Sequence, residues 1–411
     1  MPLQSISQAD FLEHLQQVPE ASFTQSSQMA TLLEKRGCRV DYLGYIVEGE
    51  LQVSTLLYSL PMTGGIHMEI NGGPIHTDSR YLSDFYRELQ NYAKSKGALE
   101  LIIKPYDTYQ DFDSNGTPTS PERPELIRTL TDLGYKYDGL QTGYPGGEPT
   151  WHYVKDLTEL TAETLFKSYH KKGQRHVTKN KKIPLKIRSL ERTELDLFKH
   201  LTSSTSQRQE FEDKSLDYYQ DFYDSFGQYA EFAVASLNFV SYLEDLQKEQ
   251  AELEKNLVQI QQFLHQNPES KKKLRDKKQV ENQLEHFKNH IEEVQEFARE
   301  YGNQDTILAG GLFIYSKHET IYLFGGSYHQ FSRFYAPTAL QSYAMQQSIK
   351  RQIPLYNFLG ITGQFDNSDG VLRFKQNFNG RIVRKMGTFR YYPHPLKYKT
   401  IQGVKKLLRR S

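Results

Sequence analysis

The feature that most constrains the fold is a pair of heptad-patterned helices in the third quarter of the chain. Apolar residues recur there at alternating steps of three and four, interrupted only by Gln250, and this pattern keeps one narrow stripe of a helix facing a partner helix. Pro268 separates the two runs, and a proline cannot sit inside a helix without losing a hydrogen bond and clashing with the preceding turn. We therefore predict an antiparallel coiled-coil hairpin over residues 243–302, here called the arm. Its stripe consists of Leu243, Leu246, Leu253, Leu257, Ile260 and Leu264, followed by Leu284, Phe287, Ile291, Val294, Ala298 and Tyr301.

The length of this arm indicates a role outside the core. At 1.5 Å per residue, its first helix extends roughly 33 Å, and a globular domain gains little from such a projection. We expect it to contact a large partner. A solvated strut that supports a domain is the alternative.

Composition limits the class of protein. The 411 residues suffice for two domains besides the arm, and 37% of them are hydrophobic with no apolar run long enough to span a bilayer. The N-terminus lacks a basic region followed by an apolar stretch, so no signal peptide is expected. A single cysteine, Cys38, fits a reducing compartment and is expected to be structural. These features predict a cytoplasmic protein.

The net charge of +1 conceals two basic regions. Residues 370–411 hold twelve Lys/Arg and no Asp/Glu. Each region alone could be a solvated face, but two of them in a nearly neutral protein favour a polyanionic partner: nucleic acid, a nucleotide-linked substrate or anionic lipid. The second region, 171–188, carries Lys171, Lys172, Arg175, Lys179, Lys181, Lys182, Lys186 and Arg188 without an acid.

The order of predicted elements suggests one unit used twice. Each unit reads hairpin, helix, strand, helix, glycine, strand, over 42–140 in the first unit and 307–386 in the second. This order matches an N-acetyltransferase-like unit. We predict a mixed α/β (α+β) protein with two acetyltransferase-like (GNAT) domains and the arm inserted into the second. The predicted domains are 1–155, 156–242 plus 303–395, the arm at 243–302, and a basic C-terminal helix at 396–411.

Motifs for cofactors and metals are incomplete. A coenzyme A loop of the form Arg/Gln-x-x-Gly-x-Gly/Ala would let backbone amides hold a pyrophosphate, but the nearest match, 384–389, ends in Phe389. His286 and His290 are four apart on the arm but lack accompanying ligands, and exposed polar positions are expected. Residues 366–370 resemble the start of a calcium loop without its later glutamate. We predict neither a cofactor nor a metal.

Several segments, taken in order, resemble the Fem family of peptidoglycan-bridge aminoacyltransferases, most closely its FemA/MurN branch. These segments are 23–37 (FTQSSQMATLLEKRG), the basic region 171–188 (KKGQRHVTKNKKIPLKIR), the arm, 321–327 (IYLFGGS), 356–365 (YNFLGITGQF) and 371–380 (VLRFKQNFNG). The resemblance implies two acetyltransferase-like domains with a helical hairpin. It also implies transfer of an amino acid (Ala, Ser or Gly) from aminoacyl-tRNA to the stem-peptide lysine or nascent bridge of a lipid-linked peptidoglycan precursor, at the inner face of the cell membrane.

The same resemblance assigns candidate site residues. Lys375 stands where the family has a lysine that stabilises charge in the reaction centre, and Tyr218 stands in its Tyr-Tyr pair. Lys35, with Arg36 beside it, matches a lysine that meets precursor phosphates. This chain reads Lys104-Pro105-Tyr106 where FemA-like chains have Asp-Pro-Tyr, so a carboxylate there is lost or comes from Asp107. The predicted catalytic residues are Lys375 and Tyr218; the predicted substrate-binding residues are Lys35, Lys214, Tyr322 and Tyr106.

For the tRNA, the candidate contacts are the arm, the tail from 397 to 410 and Lys171, Lys172, Arg175, Lys179, Lys181 and Lys182. The tail is also patterned as a basic amphipathic helix, which suits a membrane surface. Two other functions remain open at this point. One is a coenzyme A-dependent N-acyltransferase; the other is a non-catalytic nucleic-acid- or membrane-binding adaptor whose arm dimerises.

Overall fold

The computed structural model describes residues 3–209 and 213–408. Within these ranges the chain forms two β-sheets of eight strands each, with α-helices packed against them. The strands are β1 Leu3–Ser5, β2 Arg39–Val47, β3 Glu50–Met62, β4 Gly65–Asn71, β5 Ile75–His76, β6 Ala98–Lys104, β7 Thr108–Phe112, β8 Lys136–Tyr137, β9 Trp151–Asp156, β10 Lys186–Ser189, β11 Ala230–Asn238, β12 Asp305–Tyr315, β13 Glu319–Ser327, β14 Leu355–Ile361, β15 Arg381–Lys385 and β16 Phe389–Tyr391. The helices are α1 Gln8–Gln17, α2 Ser27–Lys35, α3 Leu82–Ser95, α4 Pro124–Thr131, α5 Ala162–Ser168, α6 Lys171–Asn180, α7 Leu195–Gln209, α8 Leu216–Phe226, α9 Phe239–Gln266, α10 Lys271–Tyr301, α11 Ala336–Lys350, α12 Gly370–Lys375 and α13 Pro395–Leu408.

The first sheet runs β1-β2-β3-β4-β6-β16-β8, with β5 paired to β3. Strands β2, β3 and β4 form an antiparallel meander, and β6 returns parallel to β4 after α3. Alternate residues of these strands face α3, as the two-residue period of a strand requires. Val53, Leu57, Met68, Ile70, Leu101 and Ile103 meet Phe85 and Leu89 of α3 in this core.

The second sheet repeats this arrangement. It runs β10-β11-β12-β13-β14-β9-β15-β7, and β11, β12 and β13 form the meander that precedes α11 and the parallel strand β14. The repeated unit is therefore a three-stranded meander, a helix and a parallel strand. Strand β4 was not predicted from the sequence. The two predicted hairpins are β2–β3 and β12–β13, which are therefore not equivalent pairs of the two units. His67 and Glu69 give β4 a polar face, which hid its strand pattern.

Strands are exchanged between the two halves of the chain. The late strand β16 lies between β6 and β8 in the first sheet. Conversely, the early strands β7 and β9 flank β15 in the second sheet. The predicted domain boundary at residue 155 stays a prediction. Each sheet includes at least one strand from the part of the chain beyond that boundary.

The arm is inserted into the β11–β12 hairpin. These strands pair as far as Asn238 and Asp305, and α9 and α10 fill the connection between them. The equivalent connection in the first unit, between β2 and β3, is a tight turn in which Glu48 and Gly49 both have positive φ, as a two-residue hairpin loop requires. The two arm helices pack along the predicted stripe, with Ile260 and Leu284 buried and Leu253, Leu257 and Leu264 against them. Val280, which was not predicted, extends the stripe by one turn and is also buried. A coiled-coil supercoil stays a prediction.

The base of the arm is fixed to the second unit by aromatic packing. The ring centroid of Phe239 lies 5.0 Å from that of Phe297 and 5.5 Å from those of Phe331 and Phe334. His290, predicted to be exposed, instead lies in this region, and its Nε2 is 3.0 Å from the Tyr242 hydroxyl. The prediction for His290 was wrong because the narrow stripe widens where the arm meets the domain.

The C-terminal helix α13 packs against the first sheet. The Ile401 side chain lies over Gly64, where a Cβ would come within 2.2 Å of Ile401 Cδ1. Part of the apolar face predicted for the tail is thus used within the protein. The tail's Arg409 and Arg410 lie outside the described residues. Among the helices of the described residues, none is both long and apolar enough to cross a bilayer.

Candidate functional site

The parallel strands of the second sheet separate at the candidate site. Strands β13 and β14 pair only at 319–321 with 355–357, although β13 continues to Ser327 and β14 to Ile361. In the first unit the equivalent pair, β4 and β6, stays together from Ile66 and Ala98 to Asn71 and Lys104. The space between 322–327 and 358–361, here called the strand cleft, is therefore a property of the second unit.

The predicted catalytic residue Lys375 lies at the β14 side of this cleft. It ends the short helix α12 and is only 4% exposed. Its Nζ donates to the carbonyl oxygens of Leu359, at 3.0 Å, and Gly360, at 2.5 Å. Leu359 has a φ of +55°, and the β14–β9 register shifts between Asn357 and Gly360. This bulge interrupts the ladder and gives the lysine its two carbonyl partners.

Burial is the main influence on the charge of Lys375. It lowers the pKa of the ammonium to about 7, although the Asp369 carboxylate opposes the shift. Asp369 itself caps α12 by accepting from the amides of Val371 and Leu372, at 2.8 and 3.0 Å. The hydrogen bonds to the two carbonyl oxygens use two of the three N–H donors of the Lys375 ammonium. Lys375 thus combines a fixed position, a third donor and a charge that changes near neutrality.

Tyr322, predicted to bind substrate, lines the β13 side of the cleft. Its ring stacks on Phe313 with centroids 5.5 Å apart. The ring also lies against Gly325, where a Cβ would come within 1.6 Å of the tyrosine oxygen. Glycine is required at position 325 because any larger side chain would clash with the Tyr322 ring. Burial raises the pKa of the Tyr322 hydroxyl to about 12, so it is a neutral hydrogen-bonding group.

A second group of predicted residues meets where α2 contacts α8. The guanidinium carbon of Arg36 lies 5.1 Å from the ring centroid of Tyr218, and Lys214 Nζ lies 5.8 Å from the same centroid. Lys35 Nζ instead lies 3.9 Å from the Asp224 carboxylate. The structure therefore brings these residues together. It places Arg36, rather than Lys35, on the tyrosine ring. Tyr218 in turn packs near Phe324 of β13, with ring centroids 6.2 Å apart.

Tyr106 belongs to a buried polar network between the two units. Its hydroxyl donates to Glu319 Oε1 at 2.5 Å, and Asn357 Nδ2 donates to Glu319 Oε2 at 2.8 Å. Lys385 Nζ donates to the Tyr106 carbonyl at 2.7 Å and lies 3.8 Å from the centre of its ring. Substrate contact by Tyr106 stays a prediction.

The other members of this network were not predicted from the sequence. Glu319 and Asn357 lie on β13 and β14, and burial raises the pKa of the Glu319 carboxyl. His152 on β9 is 3.3 Å from Asn357 through Nδ1, and burial lowers its pKa to about 3. The sequence did carry a signal for Glu319 and Asn357, because each is a polar residue in an otherwise apolar strand.

The residues at the Lys104-Pro105-Tyr106 departure have other partners. Lys104 Nζ lies 2.8 Å from Glu69 and 2.9 Å from Glu148. Asp107 Oδ1 lies 3.3 Å from His76 Nε2. A role for Asp107 as the replacement carboxylate stays a prediction.

The basic helix α6 packs beside Lys375. Gly173 lies against the carbonyl of Asn377, within the 3₁₀ turn Gln376–Phe378 that follows Lys375. The His170 amide donates to the same carbonyl at 3.1 Å. The exposed predicted tRNA contacts are Lys171, Lys172, Arg175, Lys179, Lys181 and Lys182, of which Lys179 donates to the Tyr335 hydroxyl at 3.2 Å and Lys181 lies 5.0 Å from the Phe166 ring.

Comparison with known proteins gives a family match along nearly the whole chain. The model of the FemAB family matches residues 6–406. Aminoacyltransferase FemA of Staphylococcus epidermidis is 29% identical over 344 residues, which cover 82% of each chain. The crystal structure of FemX aligns with a TM-score of 0.76 at 19% identity, covering 98% of this chain and 100% of that one. A tandem GNAT protein from the clavulanic acid biosynthesis pathway aligns with a TM-score of 0.50 at 9% identity, covering 96% and 98%. These two likenesses concern the fold.

Proposed function

This chain belongs to the FemAB family, and from that premise we propose that it is a tRNA-dependent aminoacyltransferase of peptidoglycan synthesis. It moves an aminoacyl group from tRNA onto the stem-peptide lysine, or the growing cross-bridge, of a lipid-linked precursor. Aminoacyltransferase is the activity for which its FemA relative is named. The observation that carries the proposal is Lys375, buried and fixed by two carbonyls at the strand cleft.

The reaction makes two demands on the site. The acceptor amine attacks the ester carbon, the bond to the tRNA 3′ oxygen breaks, and that oxygen leaves with a proton. A lysine amine ordinarily has a pKa of about 10.4, so its deprotonation at pH 7 costs about 4–5 kcal/mol. The oxyanion that forms at the ester carbon also needs a donor, and one such donor contributes about 3–4 kcal/mol.

Lys375 meets the second demand. Its ammonium is held by carbonyl dipoles, and no carboxylate among the described residues forms a direct ion pair that would cancel its charge. In a buried site such a charge acts strongly on a developing oxyanion because little water screens it. The same charge disfavours a second ammonium nearby, which helps the acceptor lose its proton.

The surroundings suit the two substrates. The basic helix α6 packs against the turn that follows Lys375, and its exposed cations suit the phosphates of the tRNA acceptor end. The group formed by Arg36, Lys214 and Tyr218 provides cations over an aromatic face, which suits the phosphates and sugar of the precursor. Lys35 belongs to the margin of that group, since it already has Asp224 as a partner.

The test is transfer from single charged tRNAs to a soluble muropeptide acceptor. tRNAs carrying Ala, Ser or Gly are compared in turn, and an acyl-coenzyme A donor without tRNA tests the rival donor. Replacing Lys375 by Met removes the charge but keeps most of the volume, and it is expected to lower kcat by about 10²–10³-fold.

Lys155 provides a matched control. It is also buried, donates to a single carbonyl, that of Asn379 at 3.2 Å, and has a pKa lowered by burial to about 8. Lys155→Met is expected to affect stability rather than the chemical step. Equal losses of kcat in both variants would remove Lys375 from the reaction centre, and turnover with acyl-coenzyme A alone would reject the tRNA donor.

A further inference from the structure

The charges of the arm are sorted along its length. The arm tip, residues 267–278, holds six Lys/Arg and two Asp/Glu, a net charge of +4. The arm stem, residues 239–266 and 279–301, holds eleven acidic and four basic residues, a net charge of −7. A strut that needs only to stay solvated has no requirement for this separation, because mixed charges solvate a helix equally well.

Most of the tip cations are available to a partner. Lys273 lies 3.7 Å from Asp276, and Lys277 lies 3.6 Å from Glu281. The other four, Lys271, Lys272, Arg275 and Lys278, are exposed and form no ion pair with any described residue. The tip is therefore a locally cationic surface at the end of an acidic stem.

Apolar side chains are exposed on the tip and on the adjoining end of the stem. Phe263 is 44% exposed and Leu274 is 47% exposed, and they flank the turn between the two arm helices. Lys273 Nζ lies 5.8 Å from the Phe263 ring centroid. Eight large apolar side chains are exposed in the described part of the chain, and Val258, Phe263 and Leu274 all lie on the arm. Exposed apolar groups among cations are the combination that binds the interface of an anionic bilayer.

We propose that the arm tip docks the protein on an anionic phospholipid surface. The cations meet headgroup phosphates, and Phe263 and Leu274 enter the boundary with the acyl chains. The acidic stem argues against the other macromolecular partner, since an RNA lying along it would meet a net charge of −7. The inference rests on the proposed function, because docking on a membrane would bring the enzyme to a lipid-linked acceptor.

The experiment measures co-sedimentation of the full chain with vesicles of phosphatidylcholine, with and without phosphatidylglycerol. Binding is expected only with the anionic lipid. The combined variant Lys271→Gln, Lys272→Gln, Arg275→Gln is expected to weaken it about a hundredfold, from about fivefold for each charge near an anionic membrane. These side chains are exposed, so the fold should be kept. Phe263→Trp should be quenched by brominated lipid, while the buried Trp151 provides a constant background.

A matched variant on α6 separates the membrane from RNA. Lys171→Gln, Lys172→Gln, Arg175→Gln removes the same charge and is expected to weaken tRNA binding but leave vesicle binding unchanged. The tip variant should show the reverse, with transfer to a soluble muropeptide retained. The proposal is overturned if the wild-type chain ignores anionic vesicles, if the tip variant still binds them, or if it loses tRNA affinity instead. The vesicle-binding and tRNA-binding readouts need no turnover, so the outcomes that overturn the proposal are independent of the proposed activity.

Discussion

At the scale of single residues, the partners of a buried lysine decide what it can do. Lys104 is surrounded by carboxylates, and although burial opposes it, Glu69 and Glu148 raise the pKa of its ammonium. Lys375 has carbonyl partners, and burial lowers its pKa to about 7. A carbonyl orients an ammonium without cancelling its charge. Lys104 is therefore a permanent ion-pair member, whereas Lys375 keeps a charge that a substrate can use.

The pH dependence of kcat should report this lysine. Below pH 7, deprotonation of the acceptor amine is expected to raise log kcat with a slope of about one. Above about pH 7, Lys375 loses its own proton, so the gain in acceptor amine is offset and the profile becomes flat. Lys375→Arg should remove the break, because arginine keeps its proton throughout this range. A slope that falls from two to one would instead identify Lys375 as a general base.

At the scale of elements, the site depends on close packing of α6 against the turn after Lys375. A Cβ on Gly173 would come within 2.0 Å of the Asn377 carbonyl oxygen. That contact is with backbone, which cannot move aside as a side chain can. Gly173 thus fixes how near the basic helix comes to the reaction centre, a function that its sequence position alone does not suggest.

Gly173→Ala tests this packing. In an isolated helix the change would stabilise by about 1 kcal/mol, but here the methyl group forces α6 away from the turn. We expect a higher KM for aminoacyl-tRNA and a loss of about 1–3 kcal/mol in the free energy of unfolding, typical of overpacking. Thr178→Ala, at an exposed position of the same helix, is the control and should change neither. An unchanged KM would show that the distance of α6 from Lys375 does not matter for tRNA.

Some of the helices and strands could be predicted from the sequence, and others could not. The stripe of the arm, the helices α3 and α11 and the strand β14 were predictable because their apolar periods are local. Lys375 was found through resemblance to a family. Strand exchange was not predictable, since β16 depends on β6 and β8, far away in sequence. Glu319 and Asn357 were missed because their hydrogen-bond partner, Tyr106, is more than 200 residues away in sequence.

At the scale of the whole molecule, a chain of hydrogen bonds joins the first unit to Lys375. Tyr106 donates to Glu319, and Asn357 donates to the other oxygen of the same carboxylate. Asn357 Oδ1 accepts from the Leu359 amide at 2.8 Å, and the Leu359 carbonyl accepts from Lys375. The junction between the units therefore supports the bulge that positions the lysine. This gives the first unit a structural influence on a cleft that only the second unit contains.

Tyr106→Phe tests this connection against direct substrate binding. Loss of a hydrogen bond to a charged group is expected to cost about 1.5–3 kcal/mol in the free energy of unfolding, measured in urea. If Tyr106 acts by positioning Lys375, kcat should fall and the break in the pH profile should move, while the KM for the muropeptide stays the same. Tyr229→Phe, at an exposed tyrosine, is the control for loss of a hydroxyl. A higher muropeptide KM with an unchanged break would mean that Tyr106 contacts the acceptor, because a displaced Lys375 would alter its own titration.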